Sequence, residues 1–277
     1  MEHSRLEKDS IAQPELWSLL MVLSPGRLDV GLYPPVPREE MLWRSFRLDA
    51  SASGGMLKAL EETVYDNPLL FSDFRSVDCV VDTGWSMLVP PDIASEQVEI
   101  LAEQVWGDDE SRGELNGYPT GASNAVMYMS MEADVEAFLR RTFYNIKFTE
   151  RKSALCRYFT THAAGDNECK LYAVFDADRL TVIALDADRL QLANSFVFSS
   201  AADAAYYTLA CAAMLGWDLQ RCGIWYRGDM EQCDAYVELL RRYVPSVKPL
   251  PFPIMRYRVS KYIMNAPLDL LITGQCG

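Results

Sequence analysis

Histidine is scarce in this sequence, with only His3 and His162 in 277 residues. Any histidine chemistry would have to come from one of these two. His3 sits in a polar N-terminal stretch, and His162 stands near a predicted helix end beside Ala163-Ala164-Gly165. Cys156 and His162 are six apart and so face different sides of a helix, which disfavours a Cys–His nucleophile. A solvated helix-terminal histidine is the expectation. Basic residues are also short: 26 Lys and Arg stand against 39 Asp and Glu, a formal net charge of −13. Such a surface repels phosphate backbones, so nucleic acid is not expected as a direct partner. No C-x-x-C pair occurs among the seven cysteines, and their gaps lack zinc-ligand rhythm. Most lie among apolar neighbours and read as reduced core residues. EF-hand spacing, a G-x-x-x-x-G-K-[ST] loop and H-E-x-x-H are all missing. The longest largely apolar run, Ala204 to Trp217, is short of the roughly 20 residues a bilayer span needs. Glu2, Glu7 and Asp9 replace the apolar region of a signal peptide, so a cytoplasmic location without a transmembrane segment is expected.

Hydrophobic residues make up 49% of the chain, enough for one or two real cores. After a polar stretch over residues 1–12, Leu16 to Leu23 is nearly all apolar, as a strand buried on both faces should be. Ser24-Pro25-Gly26-Arg27 is a turn, and Leu28, Val30 and Leu32 alternate along a returning strand. A third strand is predicted over Leu42 to Leu48, then a helix over Gly55 to Tyr65 with Ser51 or Ser53 as N-cap. Strands follow at Val77 to Asp82 and Ser86 to Val89. Ser95 is a candidate cap for a helix bearing Val98, Leu101 and Val105. Gly107 to Gly121, rich in Gly, Asp and Glu, reads as a long mobile loop. A strand (Ala125 to Met131), a helix (Glu132 to Phe143), a short strand (Ile146 to Phe148) and a helix (Arg151 to Phe159) complete this half.

The opening pattern then recurs. Leu171 to Phe175 is an apolar strand, Asp176-Ala177-Asp178-Arg179 a turn, and Leu180 to Leu185 and Leu190 to Phe198 the next two strands. A helix (Ala201 to Leu215), a strand (Gly223 to Tyr226) and a helix (Met230 to Tyr243) follow, with an apolar piece at Leu268 to Thr273. Both halves read β-β-β-α-β-α with further elements after each, which argues for duplication and mixed sheets with helical crossovers. The expected division is a tail at 1–12, a first lobe at 13–149 and a second at 150–277.

A three-stranded antiparallel meander opening each α/β half resembles the actin-like ATPase fold, with ribonuclease H-like lobes, of actin, Hsp70-type chaperones, sugar kinases and bacterial FtsA-like and PilM-like proteins. The stretches Leu190-Gln191-Leu192-Ala193-Asn194-Ser195-Phe196, Ala204-Ala205-Tyr206-Tyr207 and Leu215-Gly216-Trp217 to Tyr226-Arg227-Gly228 are similar to an uncharacterised bacterial domain-of-unknown-function family with that fold. The resemblance implies two lobes facing a cleft and carries no established activity.

In nucleotide-binding members of that superfamily, the first hairpin of each half holds phosphate with glycines and backbone N–H groups, while a carboxylate positions metal or water. Here Ser24-Pro25-Gly26-Arg27 has no acid, and Pro25 removes a donor. Asp176-Ala177-Asp178-Arg179 keeps acids but has no glycine, and Gly228 alone stands where an adenosine-binding glycine pair is expected. The remaining cofactor-site candidates are Asp176, Asp178 and Gly228. No cofactor is expected. The doubled Asp-Ala-Asp-Arg-Leu, at Asp176 and Asp186, invites a calcium or magnesium site. The two turns lie at opposite ends of one strand, about 20 Å apart, so they read as solvated turns whose Asp side chains bond nearby backbone, with no metal. Ser51-Ala52-Ser53-Gly54-Gly55 and Thr120-Gly121-Ala122-Ser123 read as an ordinary cap and a loop entering a strand. Against the acidic whole, Arg256, Tyr257, Arg258 and Lys261 form a basic, aromatic strip. If extended, it puts Arg256 and Arg258 on one face and Met255, Tyr257 and Val259 on the other. It is the candidate contact for a protein partner or a second copy, with a solvated edge as the plainer account. The functional expectation is a non-catalytic, degenerate actin-like protein acting through protein contacts. The alternative is a nucleotide-binding phosphotransferase or ATPase with an atypical phosphate site.

Overall fold

The computed structural model describes residues 5–49, 55–162, 168–187, 189–228, 230–258, 260, 263 and 266–274. Three antiparallel strands open it: β1 (Ser18–Ser24), β2 (Arg27–Tyr33) and β3 (Leu42–Arg47). Gly26, at φ +76°, adopts a left-handed conformation that closes the two-residue turn between β1 and β2. Helix α1 (Gly55–Tyr65) then leads to β4 (Ser76–Val81), parallel to β1. An insertion follows: β5 (Ser86–Val89), α2 (Ser95–Trp106), β6 (Asn116–Pro119) and β7 (Val126–Met129). Its strands form a separate sheet in the order β5-β7-β6. Helix α3 (Ala133–Thr142) returns the chain to β8 (Lys147–Glu150), parallel to β4, and α4 (Arg151–Thr161) follows directly.

The second half repeats this plan without the insertion. It comprises β9 (Cys169–Asp176), β10 (Arg179–Asp186), β11 (Arg189–Val197), α5 (Ala201–Met214), β12 (Cys222–Arg227), α6 (Met230–Leu240), β13 (Ser246–Pro249) and α7 (Leu268–Thr273). The two main sheets have corresponding orders, β3-β2-β1-β4-β8 and β11-β10-β9-β12-β13. Each is antiparallel through its meander and parallel thereafter.

The apolar run of β1 follows from burial on both faces. Leu19, Met21 and Leu23 join the core beneath α1 and α3, while Leu20 and Val22 point the other way, to Leu270 and Leu271 of α7. In β9, likewise, Leu171, Ala173 and Phe175 face α5 and α6, while Tyr172 and Val174 meet Leu155, Cys156 and Phe159 of α4. The helix after each fifth strand therefore packs against the other sheet: α4 on the second, α7 on the first. Burying a leucine such as Leu270 contributes about 1.5–3 kcal/mol, so this exchange of helices fastens the lobes together. Gly31 in β2 permits the approach of α7, because a Cβ there would lie 2.6 Å from Leu270 Cδ2.

Several expectations need correction. The Gly107–Gly121 segment is not a continuous loop, since it contains β6. Asn116, Gly117 and Pro119 are poor strand formers, but β6 is an edge strand, where Pro119 costs no interior ladder bond. Ser95 does not cap α2: Ala94 precedes the helix without a side-chain cap bond, and Ser95 is its first residue. The buried face of α2 is Val98 and Ala102, whereas Leu101 and Val105 are exposed. Ser246–Pro249, which carries no clear strand pattern, forms β13, and the apolar piece at Leu268–Thr273 is a helix. The Ser51 and Ser53 cap lies outside the described residues. Among the described residues, no helix is long and apolar enough to cross a membrane.

Candidate functional site

The two hairpin turns face one another, and what joins them is a network of charged side chains. Arg27, the first residue of β2, sends Nε to Asp29 Oδ2 at 2.6 Å and Nη2 to Asp176 Oδ1 at the end of β9. Arg151, the first residue of α4, lies beside them with 1% of its side chain exposed. Its Nε donates to Asp269 Oδ2 on α7 (2.9 Å) and its Nη1 to Asp82 Oδ2 just after β4 (3.1 Å), and its Nη2 pairs with Asp176 Oδ2 (3.3 Å). Arg179, at the start of β10, pairs with Asp82 Oδ2 at 3.4 Å. Both sheets and both exchanged helices thus send a charge to one buried point.

The electrostatics follow from that burial. Desolvation opposes the Arg151 charge, but Asp269, Asp82 and Asp176 together outweigh it and hold the guanidinium pKa above its ordinary value. Arg27 is raised in the same way, burial opposing and Asp29 and Asp176 prevailing. Asp269 shows the converse: burial raises its carboxyl and Arg151 only partly offsets it. Asp29 is also raised, chiefly by burial, although Arg27 and Ser45 favour its charged form. Asp82 Oδ1 and Asp269 Oδ1 are buried without a protein hydrogen-bond donor. Three guanidinium groups here meet four carboxylates, Asp29, Asp82, Asp176 and Asp269.

Beside the network opens a cleft of about 840 Å³, lined by Arg27, Asp29 and Trp43 from the first sheet and by Asp176, Arg227 and Gly228 from the second. Two sequence candidates, Asp176 and Gly228, therefore share one cleft. Gly228 is required there because a Cβ would lie 2.5 Å from Phe175 Cβ. Asp178 is exposed in its turn and does not line this cleft. The solvated-turn expectation fails for Asp176, whose side chain is 9% exposed and bonded to arginines from distant elements rather than to nearby backbone. Asp188 of the second turn lies outside the described residues.

The other candidates fall elsewhere. Arg256 and Arg258 are exposed, while Tyr257 packs against Tyr33 with ring centroids 5.5 Å apart. The strip is held to the β2–β3 connection through Arg38 N to Arg256 O (3.0 Å) and Arg258 N to Glu39 O (2.8 Å). Lys261 lies outside the described residues, as does His3. His162 follows α4, exposed and stacked on Tyr158, while Cys156 is fully buried. Sequence reasoning missed Arg27, Arg151 and Asp269 as site residues. A lone arginine at the start of a strand or a helix carries no signal of its own, and only Asp269, an acid inside the apolar run Leu268–Thr273, was locally anomalous. It also missed Lys152, buried beside Ser86 and 3.3 Å from Glu150, which ties α4 to the inserted sheet.

Nucleotide-binding proteins of this architecture need free backbone donors at the two turns and a carboxylate available to metal. The residues present do not fit that pattern. Pro25 has no N–H, Arg27 spans the turns, and Asp82, Asp176 and Asp269 converge on Arg151. Among the described residues, no group of three or more His, Cys, Asp or Glu side chains is arranged to hold a metal ion.

Two duplicated sheets of one strand order, joined through exchanged helices, define an α/β protein of actin-like ATPase fold. A protein from Bacteroides thetaiotaomicron VPI-5482, described as having an actin-like ATPase fold and unknown function, superposes with a TM-score of 0.81 at 17% identity over 99% of this chain and 100% of that one. The PilM-PilN type IV pilus biogenesis complex matches with a TM-score of 0.56 at 11% identity over 94% and 98%. A search of the curated proteins found no similar sequence. The chain belongs to the family described as protein of unknown function (DUF3822), whose model matches residues 7–247.

Proposed function

We propose that this chain is a non-catalytic member of the actin-like fold, that its inter-lobe phosphate site has become a structural latch, and that it acts through protein–protein contacts in the cytoplasm. The observation that carries this reading is the Arg151 guanidinium, bonded to carboxylates after β4, at the end of β9 and on α7. A cation fixed in the protein there occupies the carboxylates a bound metal would need, and the Arg27–Asp176 pair spans the turns that would hold phosphate. The PilM-PilN complex supports a partner-binding role, as an assembly of a protein of like fold with a protein partner. The exposed Arg256 and Arg258 beside the packed Tyr257 are the proposed contact, for an acidic partner or a second copy. The free state of Cys79, Cys156, Cys169, Cys211, Cys222 and Cys233 supports the cytoplasm as the compartment.

A second reading, a nucleotide-binding phosphotransferase or ATPase with an atypical phosphate site, is favoured by one observation: Asp176 and Gly228 line the same cleft. Thermal-shift titration with ATP, ADP and GTP, with and without magnesium, separates the two. A ligand at 100 times its Kd stabilises the native state by about 2.7 kcal/mol, well within detection. The latch reading expects no shift at millimolar nucleotide. A magnesium-dependent shift that disappears in Asp176→Ala, measured against that variant's own baseline, would overturn it.

A further inference from the structure

We infer that Cys169 and Cys222 form a reversible disulfide that staples β9 to β12 when a small-molecule disulfide such as glutathione disulfide is present. Cys169 opens β9, Cys222 opens β12, and the two are direct partners on adjacent parallel strands. Neighbouring strands lie about 4.8 Å apart, inside the Cα separation of about 4.4–6.8 Å that a disulfide tolerates. Side chains alternate along a strand, so Cys169 shares its face with Leu171, and Cys222 shares its face with Ile224. Leu171 and Ile224 belong to the same core cluster, and both thiols therefore project to one side of the sheet. The register sets the two thiols directly across from each other, and both cysteines are free.

Their unequal exposure assigns the roles. Cys169 is half-buried at the rim, next to the exposed Glu168–Arg221 ion pair, whereas Cys222 is fully buried. Burial raises both thiols, Cys222 to about 12, so the accessible Cys169 is the one an outside disulfide reaches first. Cys169 Sγ, deprotonated, attacks one sulfur of glutathione disulfide, the S–S bond breaks, and one glutathione leaves as thiolate. Cys222 Sγ then attacks Cys169 Sγ in the mixed disulfide and releases the second glutathione. The protons of the two cysteines pass to the two glutathione thiols. The protein loses two electrons and glutathione disulfide gains them. The staple holds the starts of the strands whose far ends carry Asp176 and lead to Gly228 in the cleft.

The test equilibrates the full chain in glutathione buffers of rising oxidation, quenches with acid, alkylates the remaining thiols after denaturation and maps the peptides by mass spectrometry. The expected product is a Cys169–Cys222 cross-link lighter by two hydrogens, with neither residue alkylated. Cys222→Ser should instead retain one glutathione on Cys169, and Cys169→Ser should leave Cys222 alkylated as in the reduced protein. Wild-type protein in which both residues remain alkylated in glutathione disulfide alone would overturn the inference, as would accumulation of an unresolved glutathione adduct on Cys169. The wild-type map decides the matter even if a serine variant fails to fold.

Discussion

Arg27, at the start of the second strand, donates to the carboxylate of Asp176, at the end of the ninth, so that the tips of two duplicated hairpins are tied by one ion pair. Arg151 meets the other oxygen of the same carboxylate at 3.3 Å. Asp176 therefore acts as a two-sided bracket, held from the first sheet by Arg27 and from the inter-lobe helix by Arg151.

Removing the central cation should be costly. Arg151→Ala leaves Asp82, Asp176 and Asp269 facing one another in a buried space, and loss of one partner from such a cluster costs about 3–5 kcal/mol. Urea midpoints of wild type and variant measure this directly. A change below about 1 kcal/mol, the range of exposed pairs, would mean that water already reaches the cluster.

Asp269 should make stability depend on pH in a particular sense. Its folded-state pKa is raised above the ordinary 3.8, mainly by burial. The native state therefore holds this proton when the unfolded chain has released it. The stability contributed by the protonated form is fully present below 3.8 and is lost as pH rises through the raised folded-state value. Asp269→Asn removes this titration while keeping the side-chain shape. Wild type should lose stability relative to Asp269→Asn as pH rises from about 4 toward neutrality, as measured by denaturant midpoints at a series of pH values. Asp29, also raised by burial, acts with the same sign. Parallel wild-type and Asp269→Asn profiles would contradict the assignment.

Gly31 and Leu270 should show coupled effects. Gly31→Ala drives a methyl to 2.6 Å from Leu270 Cδ2, and overpacking of this kind costs about 1–3 kcal/mol. Leu270→Ala alone costs about 2–5 kcal/mol through the cavity it leaves. The double variant gives the added methyl room, so its destabilisation should fall short of the sum of the single effects. Exact additivity in a double-mutant cycle would show that α7 does not rest on β2 as described.

Gly228→Ala tests the wall of the cleft. Its new methyl would lie 2.5 Å from Phe175 Cβ, so the strand ends must separate, at a cost of about 1–3 kcal/mol. Thermal melting should register the loss, and tryptophan fluorescence should shift if the movement reaches Trp43 or Trp225. An unchanged melting temperature would mean that this wall yields freely.

Much of the fold was legible because periodicity is a local property. The runs that became β1 and β9 are apolar at consecutive positions since each strand is buried on two faces, and the Ser24–Arg27 and Asp176–Arg179 turns are written in neighbouring residues. Strand β6 and strand β13 were harder. Asn116-Gly117-Tyr118-Pro119 and Ser246-Val247-Lys248-Pro249 carry little strand preference, and both lie at sheet edges, where pairing to one neighbour suffices.

The site divides along the same line. Residue types and their order alone determined the duplication, the missing acid and the donor-less Pro25 of the first hairpin turn, the missing glycine of the second and the isolated Gly228, because each concerns a few adjacent positions. Only the tertiary structure decided that Asp176 is buried, that Arg27 and Arg151 share it, and that Asp269 joins Asp82 across the exchanged helices. The directly bonded pairs among them lie as far as 149 residues apart in sequence. The attraction between them depends on separation in space and on the low dielectric of the interior, and folding sets both.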